Sequence, residues 1–268
     1  KKMNKIFAQH GYKAYLVGGA VRDMLMGKEP HDWDVTTDAT PEQVMSIFRK
    51  VIPTGIAHGT VTVHFMKNEI EVTTFRTESD YSDGRHPDKV EYTGNIEEDL
   101  SRRDFTINAI ASYLGDGTIT DPFHGRDDIK RKVIRTVGNP LERFSEDGLR
   151  PVRAVRFSAQ LDFSLDERTQ DAIRNQAVFL KDISAERIHV ELTKLLVSKH
   201  PERLRTAYEL GVTKIVLPEF DAMMRTEQNN PHHQYSVGEH TIISLQEVKA
   251  EKVLRLTMLL HDVAKPFC

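Results

Sequence analysis

The chain has 268 residues and a mass of 30.6 kDa, room for about two domains of ordinary size. Apolar residues make up 39% and charged residues 29%, with mean hydropathy −0.46, which excludes both a disordered and a membrane-embedded chain. A net charge of −3 argues against nucleic-acid binding by bulk charge while allowing a local basic patch, and a single cysteine, Cys268, excludes an internal disulfide framework.

The opening KKMNKIFAQHGYKAYLVGG has basic residues but no apolar h-region or small-residue cleavage site, so no secretory signal is expected. No apolar run approaches the ~20 residues of a bilayer span. With the cysteine usage, this fits a reducing cytoplasm. Ala14–Val17 reads as a strand running into Gly18-Gly19, and residues 20–26 as a helix closed by Gly27. Residues 32–36 read as a second strand. Thr40-Pro41 opens a helix, with threonine as N-cap and proline in the first turn. Residues 60–65 and 69–75 are β-rich and read as a hairpin joined by Met66-Lys67-Asn68. The polar stretch from Arg76 to Leu100 has few apolar residues and reads as functional or mobile rather than structural.

From Asn139 onward the pattern is helical. Phe144, Val152, Val155, Phe157 and Leu161 form one apolar set, Ile188, Leu192, Leu195 and Leu196 another, and Val253, Leu254, Leu256, Leu259 and Leu260 a third. The expected class is α+β: a head with a small mixed β-sheet flanked by helices (1–138), then an all-helical neck (139–198) and body (199–268).

Asp32 and Asp34 stand two apart in a β-type run, so both should point to one face. Carboxylates held together repel unless a cation lies between them, and such oxygen ligands suit Mg²⁺. Gly18-Gly19 joins a strand to a helix, where free backbone N–H groups and the helix dipole favour a phosphate, and Arg22 lies one turn on. Glu69 and Glu71 share a strand face, and Glu71 is the choice for a third carboxylate beside the aspartates. Three carboxylates at a phosphate site imply two-metal phosphoryl chemistry.

Leu16-Val17-Gly18-Gly19-Ala20-Val21-Arg22-Asp23 followed by Asp32-Trp33-Asp34 resembles the signature of polymerase β-type nucleotidyltransferases. More narrowly it resembles class II tRNA nucleotidyltransferases (CCA-adding enzymes) and bacterial poly(A) polymerases. The resemblance continues through Arg102-Arg103-Asp104-Phe105-Thr106-Ile107-Asn108-Ala109, Asp121-Pro122-Phe123-His124-Gly125, Glu146-Asp147-Gly148-Leu149-Arg150 and Glu186-Arg187-Ile188 with Glu191. These motifs stand in family order over about residues 12–196. The resemblance implies an enzyme that extends the tRNA 3′ end with C and A from CTP and ATP, without a nucleic-acid template or an obligate protein partner. Asp32 and Asp34 would hold the metals, with Glu71 as third catalytic carboxylate. Gly19, Arg22, Arg103, Asp147, Arg150, Arg153 and Arg156 would hold the nucleotide.

Asp147 and Arg150, three apart, would share a face if helical. An ionised aspartate only accepts hydrogen bonds and an arginine only donates. Cytosine and adenine both offer an amino donor beside a ring-nitrogen acceptor. Uracil and guanine present a carbonyl and an N–H there, so a pocket built for the first pair would leave groups unpaired with the second. The resemblance assigns this selection to Asp147 and Arg150. Two features bear on it: Gly148 stands where the resemblance leads one to expect proline, and Pro151 would kink a helix begun at Asn139 but is tolerated in the first turn of one begun near Asp147.

Asp80, Asp83, Gly84, Arg85, His86 and Pro87 resemble the flexible loop of enzymes that add the terminal A, and Gly55–Val61 resembles the form common in CCA-adding enzymes rather than poly(A) polymerases. An A-adding tRNA nucleotidyltransferase, then a poly(A) polymerase, are the alternatives. His240 and His261-Asp262, with His232-His233 nearby, resemble the start of an HD-type phosphohydrolase domain; helical body material is the expected role, since the chain ends six residues past Asp262 and begins at Lys1, as a fragment would.

Overall fold

The structure, a computed structural model, describes residues 1–82, 86–227 and 235–267. Asp83, Gly84, Arg85, His232, His233 and Cys268 therefore lie outside the described residues. The chain forms two compact units, Lys1–Arg131 with Arg135–Asn139, and Lys132–Ile134 with Pro140–Cys268.

The first unit begins with α1 (Lys2–Gln9), whose Met3 and Phe7, four apart, are buried. Then come β1 (Ala14–Val17), α2 (Gly19–Leu25), β2 (Asp34–Thr37), α3 (Pro41–Ile47), β3 (Val51–Gly55), β4 (Thr60–Phe65) and β5 (Asn68–Thr74). After β6 (Arg76–Ser79), β7 (Lys89–Tyr92) and α4 (Ile96–Ser101), the unit adds β8 (Ala111–Tyr113), β9 (Ile119–Thr120) and α5 (Gly125–Arg131). Seven strands form one mixed sheet in the order β3-β4-β5-β2-β1-β8-β9. Only β2 and β5 pair in parallel; the other neighbours are antiparallel.

Local chemistry explains these elements. The Thr40 side chain accepts from Gln43 N at 3.3 Å and the Gln43 side chain accepts from Thr40 N at 2.8 Å, a reciprocal cap that starts α3 at Pro41. The β4–β5 connection is shorter than the sequence suggests: Phe65 pairs with Asn68, leaving Met66 and Lys67 with φ of 49° and 69°. That left-handed pair matches the twist of a two-residue hairpin, even without glycine. The sheet's core gathers Phe7, Leu16, Val35, Val61 and Val72, with the Phe7 and Phe48 rings edge-on at 5.0 Å. A second cluster joins Val17, Leu100, Ala109 and Ala111.

Among the described residues, the polar stretch after Arg76 holds more secondary structure than expected. β6 and β7 pair antiparallel as a separate two-stranded sheet, and α4 buries Asp99 and Leu100. Asn95 caps α4 by accepting from Glu97 N at 2.9 Å.

Among the described residues, the second unit's regular structure is helical apart from a two-residue parallel pairing of β10 (Val133–Ile134) with β11 (Ser164–Leu165). Its helices are α6 (Pro140–Glu146), α7 (Arg150–Leu161), α8 (Glu167–Gln176), α9 (Ala185–Leu196), α10 (Leu204–Glu209), α11 (Thr213–Val216), α12 (Pro218–Arg225), α13 (Val237–Glu247) and α14 (Lys252–Leu260). α7 packs on α9, α6 on α8 and α12 on α13. Phe144, Val155, Phe163, Ile173, Leu195 and Phe220 are buried. The apolar set expected on one helix is split, with Phe144 on α6 and Val152, Val155, Phe157 and Leu161 on α7. The chain breaks at 147–149, so Pro151 falls in the first turn of α7, where its missing N–H has no helical partner to lose. No helix among the described residues is long and apolar enough to cross a membrane.

Candidate active site

Strand register builds the first unit's site. Leu16 of β1 faces Val35 of antiparallel β2, so the end of β1 and the start of β2 meet at one end of the sheet. On the other side of β2, Asp34 is the Cα partner of Glu71 on parallel β5. The Gly18-Gly19 turn, Asp34 and Glu71 therefore converge although they are dispersed through the sequence. Asp32 precedes β2 rather than lying within it, so it does not share a strand face with Asp34 by alternation, which corrects the expectation from their spacing. The three carboxylates are nonetheless close enough to interact. Burial raises the carboxyl of Asp34 above the ordinary range, Arg103 opposes the shift, and Asp32 adds to it. Glu71 is also raised, by desolvation first and then by Asp34, with Arg76 opposing and Asp32 adding.

Two guanidinium groups flank the glycine turn. Gly18 has φ +69°, a conformation that disfavours a side chain, and a Cβ there would lie 3.4 Å from Arg103 Nη1 and 3.7 Å from Asp34 Oδ2. A Cβ on Gly19 would lie 3.3 Å from Arg22 Nη2. Arg22 donates from Nη1 to Asn108 Oδ1 at 2.7 Å and from Nε to Asp23 Oδ1 at 3.0 Å. Asn108 donates in turn to Asp104 Oδ1 at 3.4 Å.

A buried ionic network adjoins the site, and sequence reasoning missed it. Glu78 Oε1 pairs with Arg76 Nη2 at 2.6 Å and Arg102 Nη1 at 3.2 Å, and Asp99 pairs with Arg102 and Arg103. Their guanidinium partners hold the carboxyls of Glu78 and Asp99 below their ordinary values despite burial. A signal for Asp99 was present, since it precedes Arg102 and Arg103 by three and four residues, the spacing of helical neighbours.

In the second unit, Asp147 lies in the turn before α7 and not on it, so it and Arg150 do not share the face of one helix. Both Asp147 oxygens accept from Arg187 Nη2 at 3.0 Å, and Oδ1 also accepts from Leu149 N at 3.0 Å. Arg150 donates to Glu146 Oε2 at 2.6 Å and to the Arg143 carbonyl at 2.9 Å. Arg153 lies 4.0 Å from Glu191 Oε1. Arg156 is buried, donates to Glu191 Oε2 at 2.7 Å and lies 3.7 Å from the centre of the Phe157 ring, which makes it a clamp between α7 and α9. Elsewhere in this unit, donor atoms of His240, His261 and Asp262 lie within 4.8 Å of one another, while Asp262 Oδ2 also accepts from Lys265 at 2.8 Å.

The carboxylates of the first unit fit a divalent cation chemically: they are hard oxygen donors, and Arg103 and Arg76 offset only part of the burial and repulsion that raise Asp34 and Glu71. The glycine turn with its two guanidinium groups suits a polyanion.

Comparison with known proteins places this arrangement. Residues 14–135 match the family described as the Poly A polymerase head domain, and residues 162–224 the probable RNA and SrmB-binding site of polymerase A. The CCA-adding enzyme of Lactobacillus helveticus is 47% identical over 229 residues, covering 84% of this chain and 56% of that protein. The CCA-adding enzyme of Oceanobacillus iheyensis is 53% identical over 194 residues, covering 71% and 48%. Among solved structures, the Bacillus stearothermophilus CCA-adding enzyme in complex with CTP has a TM-score of 0.73 at 47% identity, covering 79% of this chain and 51% of that one. A tRNA nucleotidyltransferase complexed with a primer tRNA and an incoming ATP analog has a TM-score of 0.72 at 28% identity, covering 96% and 74%. The chain spans about half the length of the curated relatives it matches. By sequence match and by fold, it belongs to the family of CCA-adding tRNA nucleotidyltransferases and poly(A) polymerases.

Proposed function

We propose that the chain carries the catalytic part of a CCA-adding tRNA nucleotidyltransferase, acting in the cytoplasm on the tRNA 3′ end with CTP and ATP. The observation that carries this reading is the register of Asp34 against Glu71, beside a glycine turn flanked by Arg22 and Arg103. Residues 1–138 are the catalytic head, 139–198 the neck that reads the base, and 199–268 the start of a body that carries tRNA.

Asp32 and Asp34 would hold Mg²⁺, which supplies charge neutralisation at the reacting phosphate and favours the ionised 3′-hydroxyl. Glu71 is the third carboxylate, placed to orient that hydroxyl. Gly19, Arg22 and Arg103 bind the triphosphate, the two guanidinium groups taking up charge that grows on the leaving group. The 3′-oxygen attacks the α-phosphorus, its bond forms as the bond to the bridging oxygen breaks, and pyrophosphate leaves with the electron pair. Asp147 and Arg150 read the base by accepting from an amino group and donating to a ring nitrogen. Arg153 supports the nucleotide, and Arg156 acts through its hold on Glu191.

The test is incorporation of single nucleotides on tRNA lacking CCA and on tRNA ending in CC, with Asp32→Ala as control. Addition of C to the first and one A to the second is the expected outcome. Extension of the CC-ended tRNA alone would establish the A-adding alternative, and an untemplated run of A a poly(A) polymerase. The grouping of His240, His261 and Asp262 favours a second test, for phosphohydrolase activity: Asp262→Ala leaves nucleotide addition intact if the head is the catalyst.

A further inference from the structure

Asp99 has no solvent exposure, and three donors converge on it. Oδ1 accepts from the Arg76 backbone N at 3.1 Å and Arg102 Nε at 3.1 Å; Oδ2 accepts from Arg103 Nη2 at 3.4 Å and lies 3.4 Å from Thr36 Oγ1, whose one hydrogen makes its shorter bond to the Thr73 carbonyl at 3.0 Å. The donors come from the start of β6 and from the residues that follow α4. The backbone donor of β6 ties the carboxylate to the sheet side, so it does not simply follow a moving arginine.

Arg103 is held at one end only by this anchor. Among the described residues, Asp99 is the one acidic residue within ion-pair distance of it, and Arg103 Nε, although buried, has no hydrogen-bond partner. Its other terminal nitrogen, Nη1, faces the Gly18 turn and the neighbourhood of Asp34. A guanidinium is a rigid planar fork, so fixing one nitrogen aims the other. Fixing it before the ligand arrives also removes a rotamer-entropy cost from binding.

We propose that Asp99 is a positioning residue for nucleotide binding: it holds Nη2 of Arg103 and thereby aims Nη1 at the triphosphate site beside Gly18-Gly19. It touches neither nucleotide nor metal. The inference rests on the reading of the first unit as a nucleotide site. Asp99→Asn keeps the volume but removes the charge that anchors the fork.

The experiment measures CTP affinity calorimetrically in Mg²⁺ on the full chain, for wild type, Asp99→Asn, Arg103→Ala and the double variant. The expected result is a loss of about tenfold for Asp99→Asn, with the double variant within about twofold of Arg103→Ala alone, because the second change has nothing left to position. In turnover the KM for CTP rises and kcat falls, because Arg103 also serves the leaving group, while the KM for tRNA changes by less than about threefold. Additive losses in the double variant, or unchanged CTP affinity in Asp99→Asn, would overturn the proposal. Should Asp99→Asn fail to fold, Arg103→Lys replaces it: an ammonium keeps the charge but cannot hold Asp99 and reach the turn together, so wild-type CTP affinity in Arg103→Lys would also overturn it. A wild-type chain that binds no CTP refutes the nucleotide-site reading itself and this proposal with it. A wild-type chain that binds CTP with Asp99→Asn unaffected refutes the positioning role alone.

Discussion

Asp34 and Glu71 are Cα partners on the only parallel pair in the head's sheet; burial raises the pKa of both, with Asp32 adding to each and Asp34 adding to Glu71. A parallel pairing needs a crossover, and here α3, β3 and β4 lie between the two strands in the chain. That connection brings together two carboxylates 37 residues apart in the chain, and their proximity underlies the pH and metal behaviour expected of the site.

A carboxyl whose folded pKa lies above its unfolded value binds more protons in the folded state, so its contribution to stability declines as pH rises from the unfolded pKa through the folded one. In metal-free protein this contribution from Asp34 and Glu71 is lost as pH climbs above the ordinary carboxylate range. Asp34→Asn removes the buried charge that is penalised at neutral pH, so there the metal-free variant should melt about 2–4 °C above wild type, an effect of roughly 1 kcal/mol. Near pH 3 the difference should vanish. Adding Mg²⁺ should raise the wild-type midpoint and leave that of Asp34→Asn nearly unchanged. Thermal melts with chelator and with Mg²⁺, across pH, measure all three effects.

Arg187 shares its Nη2 between both oxygens of Asp147, and both side chains are partly buried. Because Asp147 lies in a turn and not on α7, this pair does the holding that a helix would otherwise do. Arg187→Ala should therefore loosen base selection more than catalysis. Misincorporation of UTP relative to CTP should rise by about tenfold or more, with about 1 kcal/mol lost in stability. Competition assays with mixed nucleotides read the first quantity and urea titration the second. Unchanged selectivity would remove Asp147 from base recognition.

Arg156 and Glu191 form an ion pair with little solvent contact between α7 and α9. Breaking such a pair from one side strands the other charge. Glu191→Ala should cost about 3–5 kcal/mol, whereas an apolar pair, Arg156→Met with Glu191→Met, should recover most of it. Chemical denaturation measures the cost. The recovered double variant then shows whether Arg156 also serves the nucleotide, since its CTP affinity would stay low.

Much of the head was legible because its signals are local. Thr40-Pro41 with Gln43 specifies a helix start by its own hydrogen bonds, and alternating valines with a short polar break specify the β4–β5 hairpin. The order and type of the motif residues likewise point to phosphoryl transfer from sequence alone. The break at 147–149 was only half legible: Pro151 permitted two helix starts, and packing chose the later one, where Gly148 stands so close to Ile183 that a Cβ would lie 2.9 Å from its Cδ1.

The sequence by itself determined the α+β class, the glycine turn and which charged side chains lie near it in the chain, because propensity, capping and residue chemistry act over a few residues. Only the tertiary structure decided that Asp34 faces Glu71, that Arg103 reaches the Gly18 turn, and that Asp99 is buried where it accepts from the Arg76 backbone. Those relations depend on strand register and on ion pairs between segments far apart in the chain. Such contacts are chosen by burial and charge compensation across the whole fold, and no local window of sequence contains both partners.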